Sequence, residues 1–211
     1  MKIAMSGATG LVGKTVLEKL LLRTEVSEVY IIGRRKIDSP SNKIKFIKSD
    51  LETFDQFPEG VDVGYCFLGT TIKKAGSREE FKRIDVDLVL SFAKKCKSAK
   101  IPNFSFVSAI GANSGSSLFY NRCKGEAEKG LMSLNFTSLN IFRPSLLIGD
   151  RDEFRFGETV GIGLYNFFNA IPGISRVLGN AMGTKVGDLA DKIIAESIEN
   201  KVDGCSIFSK F

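Results

Sequence analysis

The 211-residue chain contains no histidine and no tryptophan. The lack of histidine excludes a Ser-His-Asp triad, a Cys-His dyad, a histidine general base and any zinc or haem site with a histidine ligand. Proton transfer near neutral pH is therefore left to tyrosine, lysine, cysteine or a carboxylate.

Cysteine pairs at metal-binding spacing and long apolar runs are also missing. Cys66, Cys96, Cys123 and Cys205 form no CxxC motif, so we expect no metal site. Neither a secretory signal nor an apolar run of about 18 residues is recognisable, so we expect no integral membrane segment. Reduced thiols then favour a cytoplasmic protein.

The net charge of +6 is spread along the chain, with 30 Lys and Arg residues among 24 Asp and Glu residues. A dense cluster, Lys94, Lys95, Lys97 and Lys100, falls at a predicted helix end, where cations favour the helix dipole. A solvated face explains this cluster better than a phosphate-binding track, so we predict no nucleic-acid partner.

Short β-branched runs alternate with longer amphipathic segments, which predicts an α/β fold with a doubly wound parallel sheet. Predicted strands cover residues 2–5, 29–32, 44–47, 61–68, 104–108 and 137–142, with an edge strand at 205–208. Predicted helices cover residues 11–22, 77–97, 119–131 and 186–199. The length suits a single domain, 1–211, in which the glycine- and phenylalanine-rich residues 151–185 form a small C-terminal cap with a short helix near 164–169.

A glycine-rich turn joins the first predicted strand to the first long helix. Glycines there permit a tight turn and a close approach of the backbone to a pyrophosphate at the positive end of the helix. This context predicts a Rossmann-type dinucleotide site; a plain turn that uses glycine for backbone freedom is the alternative. The predicted phosphate-binding residues are Gly7, Ala8, Thr9, Gly10, Leu11, Val12 and Gly13.

Two arginines, Arg34 and Arg35, follow the second predicted strand. In a Rossmann unit this position meets the adenosine ribose, where an acidic residue favours NAD(H) and an arginine suits the 2′-phosphate of NADP(H). We therefore predict NADP(H) as the preferred cofactor, against the alternative of a solvated basic turn.

The third and fourth strands end in residues that fit the same cleft, since ligands of such sheets lie at the carboxyl ends of strands. Asp50 and Leu51 follow the third strand, where a polar-apolar pair would border the adenine. Leu68, Gly69 and Thr70 follow the fourth, where the glycine lets a cofactor pass close to the backbone.

Tyr120 and Lys124 lie four residues apart on a predicted helix, so their side chains share one helix face. Beside a dinucleotide site they predict carbonyl chemistry, with Tyr120 as the acid or base, Lys124 as a nearby cation and the strand-ending Ser108 as a second hydrogen bond to the substrate oxygen. A cation about 4 Å away favours the tyrosinate by on the order of 4 kcal/mol, whereas burial disfavours it. An ordinary surface pair is the alternative.

Together these motifs resemble the short-chain dehydrogenases/reductases of the extended or atypical branch, and within it the Tat-interacting-protein-like oxidoreductases. The resemblance implies an NADP(H) cofactor bound by the strand-end residues above and by Tyr120, Lys124 and Leu147, with Arg155 close to it. It is carried by Ile32–Lys36, Val63–Thr71, Lys74–Gly76, Phe142–Pro144 and Asp150–Arg151.

The sequence leaves two functions open. One is an NADP(H)-dependent oxidoreductase that exchanges hydride with a small carbonyl or alcohol substrate. The other is a redox-responsive regulatory protein in which NADP(H) binding orders the 151–185 cap and controls a protein partner, with little or no turnover. The asparagine that many short-chain dehydrogenases use as a fourth catalytic residue has no clear counterpart, and Asp85 falls near its position. The oligomeric state, monomer or dimer, is also open.

Overall fold

The structure, a computed structural model, describes residues 1–52, 54, 57–148 and 183–211 and shows the predicted alternation of strands and helices. The strands are β1 (Lys2–Ser6), β2 (Glu28–Gly33), β3 (Ile44–Lys48), β4 (Val61–Cys66), β5 (Asn103–Val107), β6 (Ser138–Phe142), β7 (Leu147–Ile148), β8 (Thr184–Lys185) and β9 (Gly204–Phe208). The helices are α1 (Leu11–Leu22), α2 (Ile72–Ala75), α3 (Arg78–Lys82), α4 (Leu88–Ser98), α5 (Phe119–Met132) and α6 (Val186–Ile194), with π-helical turns at Arg83–Asp87 and Ala195–Glu199.

Seven strands form the central sheet, in the order β3-β2-β1-β4-β5-β6-β9. Every neighbouring pair is parallel, including the predicted edge strand β9 beside β6. The strand order reverses between β1 and β4, and the carboxyl ends of these two strands therefore border the crevice in which such sheets bind ligands. The predicted doubly wound parallel sheet is confirmed.

Helices cover both faces of the sheet. Side chains alternate between the two faces along each strand, so apolar strand residues on either face are buried against helices. Ile3 and Met5 of β1 are buried in one cluster, together with residues of α1 and α6. Ala4, between them, is buried in the opposite cluster, with residues of α4 and α5. The buried helical residues are Val16, Leu17 and Leu20 of α1, Leu189 and Ile193 of α6, Val89, Phe92 and Cys96 of α4, and Ala127 and Leu131 of α5.

The helix predicted over residues 77–97 departs from a regular α-helix. Ser77 caps its start as expected, since the Ser77 hydroxyl accepts a hydrogen bond from the Glu80 amide at 3.0 Å. A π-helical turn over Arg83–Asp87 then separates α3 from α4. Such turns arise where one extra residue is accommodated in a helix, often at a functional site.

The cap predicted over residues 151–185 falls almost wholly outside the described part of the chain, as do its short helix at 164–169 and Arg155. The described residues 183–185 contribute β8, which pairs in parallel with β7 in a small second sheet. No helix in the described ranges has the length and apolar character needed to cross a bilayer.

Candidate active site

The turn between β1 and α1 has the geometry of a phosphate-binding turn. Gly7 has φ of 81°, and its carbonyl oxygen accepts a hydrogen bond from the Gly10 amide at 3.1 Å. A Cβ at Gly7 would overlap the backbone of Phe67, and a Cβ at Gly13 would overlap the Gly7 carbonyl oxygen. The helix begins without a side-chain cap and without an acidic residue in its first turn. Its N-terminal amides are therefore available to an anion.

A cleft of about 130 Å³ lies against this turn. The predicted residues after β1, β2 and β3 contribute to its lining, and of the predicted residues after β4 only Leu68 does. The predicted residues that line it are Gly7, Ala8, Thr9, Arg34, Arg35, Asp50, Leu51 and Leu68. The lining residues that the sequence analysis missed are Ser6, Ile31, Ile32, Gly33, Ser49, Arg83, Ile84 and Leu88.

Three arginines line the cleft. Arg34 and Arg35 are exposed and follow β2 directly. Arg83 comes from the π-helical turn, where its guanidinium donates to both carboxylate oxygens of Glu80, at 2.8 and 2.9 Å, and to Glu52 at 3.0 Å. The two carboxylates offset the charge of Arg83, whereas Arg34 and Arg35 form no ion pair at salt-bridge distance among the described residues.

The segment after β3 is held in an unusual conformation. Leu51 is buried and has φ of 73°, in the left-handed region that non-glycine residues rarely adopt. Its amide donates to the Ser49 hydroxyl at 3.0 Å, and its carbonyl oxygen accepts from the Ser91 hydroxyl at 3.0 Å. Asp50 accepts from the Glu52 amide at 3.0 Å. Strained conformations of this kind cluster at ligand-binding sites.

The catalytic residues predicted from the sequence come from β5 and α5. The Ser108 amide donates to the Phe142 carbonyl oxygen at 2.7 Å, which fixes the residue directly after β5. The Ser108 hydroxyl is buried and has no hydrogen-bond partner among the described residues. The buried hydroxyls of Ser6, Ser105 and Ser138 also have no partner among the described residues, so the place of Ser108 directly after β5, and not the missing bond alone, makes it a candidate for contact with a ligand.

Close packing fixes helix α5 against the loop that follows β5. The Asn113 amide donates to the Asn121 carbonyl oxygen at 3.0 Å, and a Cβ at Gly125 would overlap the backbone of Asn113 and Ser114. Tyr120 is half-buried in this arrangement, whereas Lys124 is 4 % exposed. The predicted alternative of an exposed surface pair does not hold for Lys124.

Lys124 has a partner that the sequence analysis did not assign. Its Nζ lies 2.7 Å from Oδ1 of Asp85, which is fully buried on the π-helical turn. Oδ2 of Asp85 accepts a hydrogen bond from the Thr70 amide at 2.9 Å. One signal in the sequence pointed to it, because Asp85 interrupts the apolar stripe that otherwise runs from Phe81 to Phe92 at helical spacing.

The electrostatic environment of Tyr120 differs from the simple expectation of an activating lysine. Burial raises the pKa of the Tyr120 hydroxyl above its ordinary value, the positive charge of Lys124 lowers it, and the Asp85 carboxylate raises it again. Burial lowers the pKa of Lys124, but Asp85 and the other neighbours raise it above the ordinary range overall. Tyr120 therefore holds its proton and Lys124 holds its charge at neutral pH.

The other predicted cofactor residues lie outside the lining of the 130 Å³ cleft. Gly69 is nonetheless next to the Lys124–Asp85 pair, since a Cβ there would lie 3.6 Å from Lys124 Nζ. Leu147 belongs to β7 and packs against the cluster of α1 and α6. The residues not brought to this cleft are Gly10, Leu11, Val12, Gly13, Gly69, Thr70, Tyr120, Lys124 and Leu147.

The chain is similar to curated proteins over most of its length. It is 38 % identical to the protein HTATIP2 of Rattus norvegicus over 172 residues, which cover 79 % of this chain and 69 % of that protein. It is 33 % identical to the mitochondrial protein FMP52 of Eremothecium gossypii over 213 residues, which cover 96 % of this chain and 92 % of that protein.

The chain belongs to the family of HTATIP2 and FMP52. The resemblance inferred from its motifs is thereby confirmed. No family model matches the chain.

Solved structures share the fold at low sequence identity. MoeE5 in complex with UDP-glucose and NAD superposes with a TM-score of 0.71 at 14 % identity, over 100 % of this chain and 76 % of that chain. The PhqB reductase domain from Penicillium fellutanum superposes with a TM-score of 0.68 at 19 % identity, over 98 % of this chain and 66 % of that chain. The fold is that of the NAD(P)-binding Rossmann proteins.

The cytoplasmic location predicted from the sequence is contradicted by the relatives. FMP52 of Eremothecium gossypii and FMP52-1 of Scheffersomyces stipitis are both named mitochondrial proteins, and they align over 96 % and 94 % of this chain. The prediction was wrong because reduced thiols exclude only oxidising compartments and do not distinguish the cytoplasm from the interior of an organelle.

Proposed function

We propose that the protein is an NADP(H)-dependent oxidoreductase that reduces a small carbonyl substrate. One observation carries this proposal: a single cleft is lined by the glycine turn after β1 and by Arg34 and Arg35 after β2. The buried Ser108 hydroxyl after β5 and Tyr120 on α5 are the groups that we assign to the chemistry. Family membership and the shared fold support an oxidoreductase; the cofactor preference and the reaction are our inference.

The residues of the cleft fit a dinucleotide phosphate. The amides at the start of α1 would hold the pyrophosphate, and Gly7 and Gly13 let the turn pack tightly against Phe67 and against the start of the helix. Asp50 and Leu51 would border the adenine, with Ile84 and Leu88 as its apolar wall. The exposed Arg34 and Arg35 would bind the 2′-phosphate, because a guanidinium matches a phosphate in two parallel hydrogen bonds.

When bound, the reduced nicotinamide ring supplies the hydride that reaches the carbonyl carbon. Tyr120 donates its hydroxyl proton to the carbonyl oxygen, and the unpartnered Ser108 hydroxyl donates a hydrogen bond to the same oxygen. The charge of Lys124 stabilises the tyrosinate that is left. Solvent then returns a proton to Tyr120, and the product is the alcohol.

The proposal is tested in two stages. Fluorescence titration with NADPH and with NADH should give a smaller dissociation constant for NADPH. A panel of aldehydes and ketones should then contain a compound whose presence makes the protein consume NADPH. Equal affinity for the two cofactors would overturn the NADP(H) assignment.

The alternative of a regulatory protein is an outcome of the same experiments. NADPH binding without turnover on any carbonyl compound, together with a protein partner whose affinity differs between the apo and NADPH-bound forms, would replace the oxidoreductase by a cofactor-responsive binding protein. Membership of the HTATIP2 family is compatible with either function.

A further inference from the structure

The ion pair between Lys124 and Asp85 is the most deeply buried pair of opposite charges in the described ranges. The two side chains are 5 % and 0 % exposed, and their charged atoms lie 2.7 Å apart. Taking two charges out of water is costly, and it is offset only when the pair is closely matched and its remaining polar atoms are bonded. A charge pair placed here therefore calls for a functional explanation.

Four segments meet at this pair: the loop after β4, strand β5, the π-helical turn and helix α5, which carries Lys124. Asp85 Oδ2 accepts from the Thr70 amide, which ties the pair to the loop after β4. Lys124 Nζ lies 5.6 Å from the centre of the Phe106 ring of β5. The π-helical turn is the part of the α3–α4 segment that carries Asp85 inward. The ammonium is thus fixed in position relative to the strand ends on either side of it.

The groups that face Lys124 determine its charge. Burial alone favours the neutral amine, as for any lysine removed from water. Tyr120 on α5 and Cys66 at the end of β4 are the other titratable groups that act on it. Burial raises the pKa of the Cys66 thiol to about 12, so this thiol is neutral at physiological pH. Asp85 is then the one negative charge facing Lys124 among the described residues.

We propose that Asp85 is a positioning residue that keeps Lys124 charged and fixed beside Tyr120. This arrangement suits proton donation by Tyr120 and hence the direction of carbonyl reduction. The functional meaning rests on the proposed roles of Tyr120 and Lys124, but the effect of Asp85 on Lys124 is measurable without cofactor or substrate.

The test is an NMR titration of the apo protein labelled with ¹³C at lysine Cε. The signal of Lys124 is the one missing from the Lys124→Met variant. In the wild type we expect it to keep the shift of a charged amine at pH values where the surface lysines titrate, near 10.4. In Asp85→Asn, the side-chain carbonyl oxygen can still accept a hydrogen bond from the Thr70 backbone amide. The Lys124 signal of this variant should titrate at least one pH unit lower than in the wild type.

Asp87→Asn is the matched control, because it removes an exposed carboxylate from the same π-helical turn. The Lys124 signal should be unchanged in this variant. The proposal is overturned if Lys124 titrates together with the surface lysines in the wild type, a result that does not depend on the folding of any Asp85 variant. It is overturned equally if a folded Asp85→Asn protein leaves the Lys124 titration where it was.

A kinetic readout follows once a carbonyl substrate is in hand. The active form needs a proton on both Tyr120 and Lys124, so the loss of the Asp85 charge should move the basic limb of the kcat profile about one pH unit or more to lower pH. The KM for NADPH should change much less. A protein without turnover that still shows the NMR effect would refute the oxidoreductase and leave the role of Asp85 in charging Lys124 intact.

Discussion

Asp85 and Lys124 form a buried ion pair between the π-helical turn and α5, with Nζ of the lysine 2.7 Å from Oδ1 of the aspartate. The pair also reaches the loop after β4 through the hydrogen bond from the Thr70 amide. Removing one partner of such a pair leaves a charge in the core without compensation, which costs far more than the loss of an exposed ion pair.

The stability of Asp85 variants should therefore differ sharply from that of surface variants. We expect Asp85→Ala to lower the free energy of unfolding by about 3–5 kcal/mol, measured by guanidinium denaturation. The double variant Asp85→Leu/Lys124→Met should lose less unfolding free energy than Asp85→Ala, since it leaves no unpaired charge in the core. Asp191→Ala is the control: it breaks the exposed pair with Lys19 and should cost less than about 1 kcal/mol. Equal losses for Asp85→Ala and Asp191→Ala would contradict the burial of the pair.

Arg34 and Arg35 should set the preference between the two cofactors. A hydrogen bond to a charged group contributes about 1.5–3 kcal/mol, so we expect the double variant Arg34→Ala/Arg35→Ala to bind NADPH at least tenfold more weakly. The affinity for NADH should change little, because NADH has no 2′-phosphate. Lys36→Ala, which removes the next cation along the chain, serves as the control in the same fluorescence titrations. A parallel loss of NADPH and NADH affinity would show that the arginines do not recognise the 2′-phosphate.

Gly7 should be far less tolerant of substitution than Gly76, a glycine with nearly the same φ. Gly7 and Gly76 have φ of 81° and 83°, but a Cβ at Gly76 would meet no atom within 4 Å, whereas one at Gly7 would overlap the backbone of Phe67. Gly76→Ala should cost only the backbone strain, about 1–2 kcal/mol. Gly7→Ala should be less stable than Gly76→Ala and should also lose NADPH binding. Calorimetry and cofactor titration of the two variants measure both effects.

The stability of the protein should fall at alkaline pH. Burial raises the pKa of Cys66 to about 12, whereas the thiol of the unfolded chain has an ordinary value near 9. The folded state holds the thiol proton more tightly than the unfolded chain does. The contribution of Cys66 to the free energy of unfolding is therefore complete below about pH 9. It is lost as the pH rises towards 12, by about 1.4 kcal/mol per pH unit.

Cys66→Ala should remove this part of the pH dependence, measured as unfolding free energy at several pH values. Cys205→Ala, at an exposed thiol on β9, should remove much less of it. Identical slopes for the wild type and Cys66→Ala would contradict the prediction.

Local patterns in the sequence predicted the fold and half of the residues that line the 130 Å³ cleft. The glycine turn, the arginines after β2 and the Asp50–Leu51 pair after β3 could be found because each follows a strand directly, and parallel strands bring their carboxyl ends to one edge. The Ser77 cap could be found because it depends on residues three positions apart. Such signals need no knowledge of tertiary contacts.

Contacts between distant segments were the part that the sequence did not reveal. Asp85 and Lys124 are 39 residues apart, and the interruption of the apolar stripe at Asp85 indicates a buried carboxylate without indicating its partner. Arg83, Ile84 and Leu88 line the cleft although none of them follows a strand directly. Whether residues 151–185 form a cap and whether Arg155 approaches the cofactor are still predictions.

The proposed reaction is tested most directly by the rate of NADPH consumption in a Tyr120→Phe variant, with a carbonyl compound that the wild type reduces. We predict a loss of about 10²–10⁴-fold in kcat, because the variant lacks the proton donor, with NADPH affinity within about twofold of the wild type. Tyr30→Phe, a change at a tyrosine that bonds Glu28 on β2, should leave kcat unchanged. A Tyr120→Phe protein that binds NADPH and reduces the compound at the wild-type rate would contradict the account.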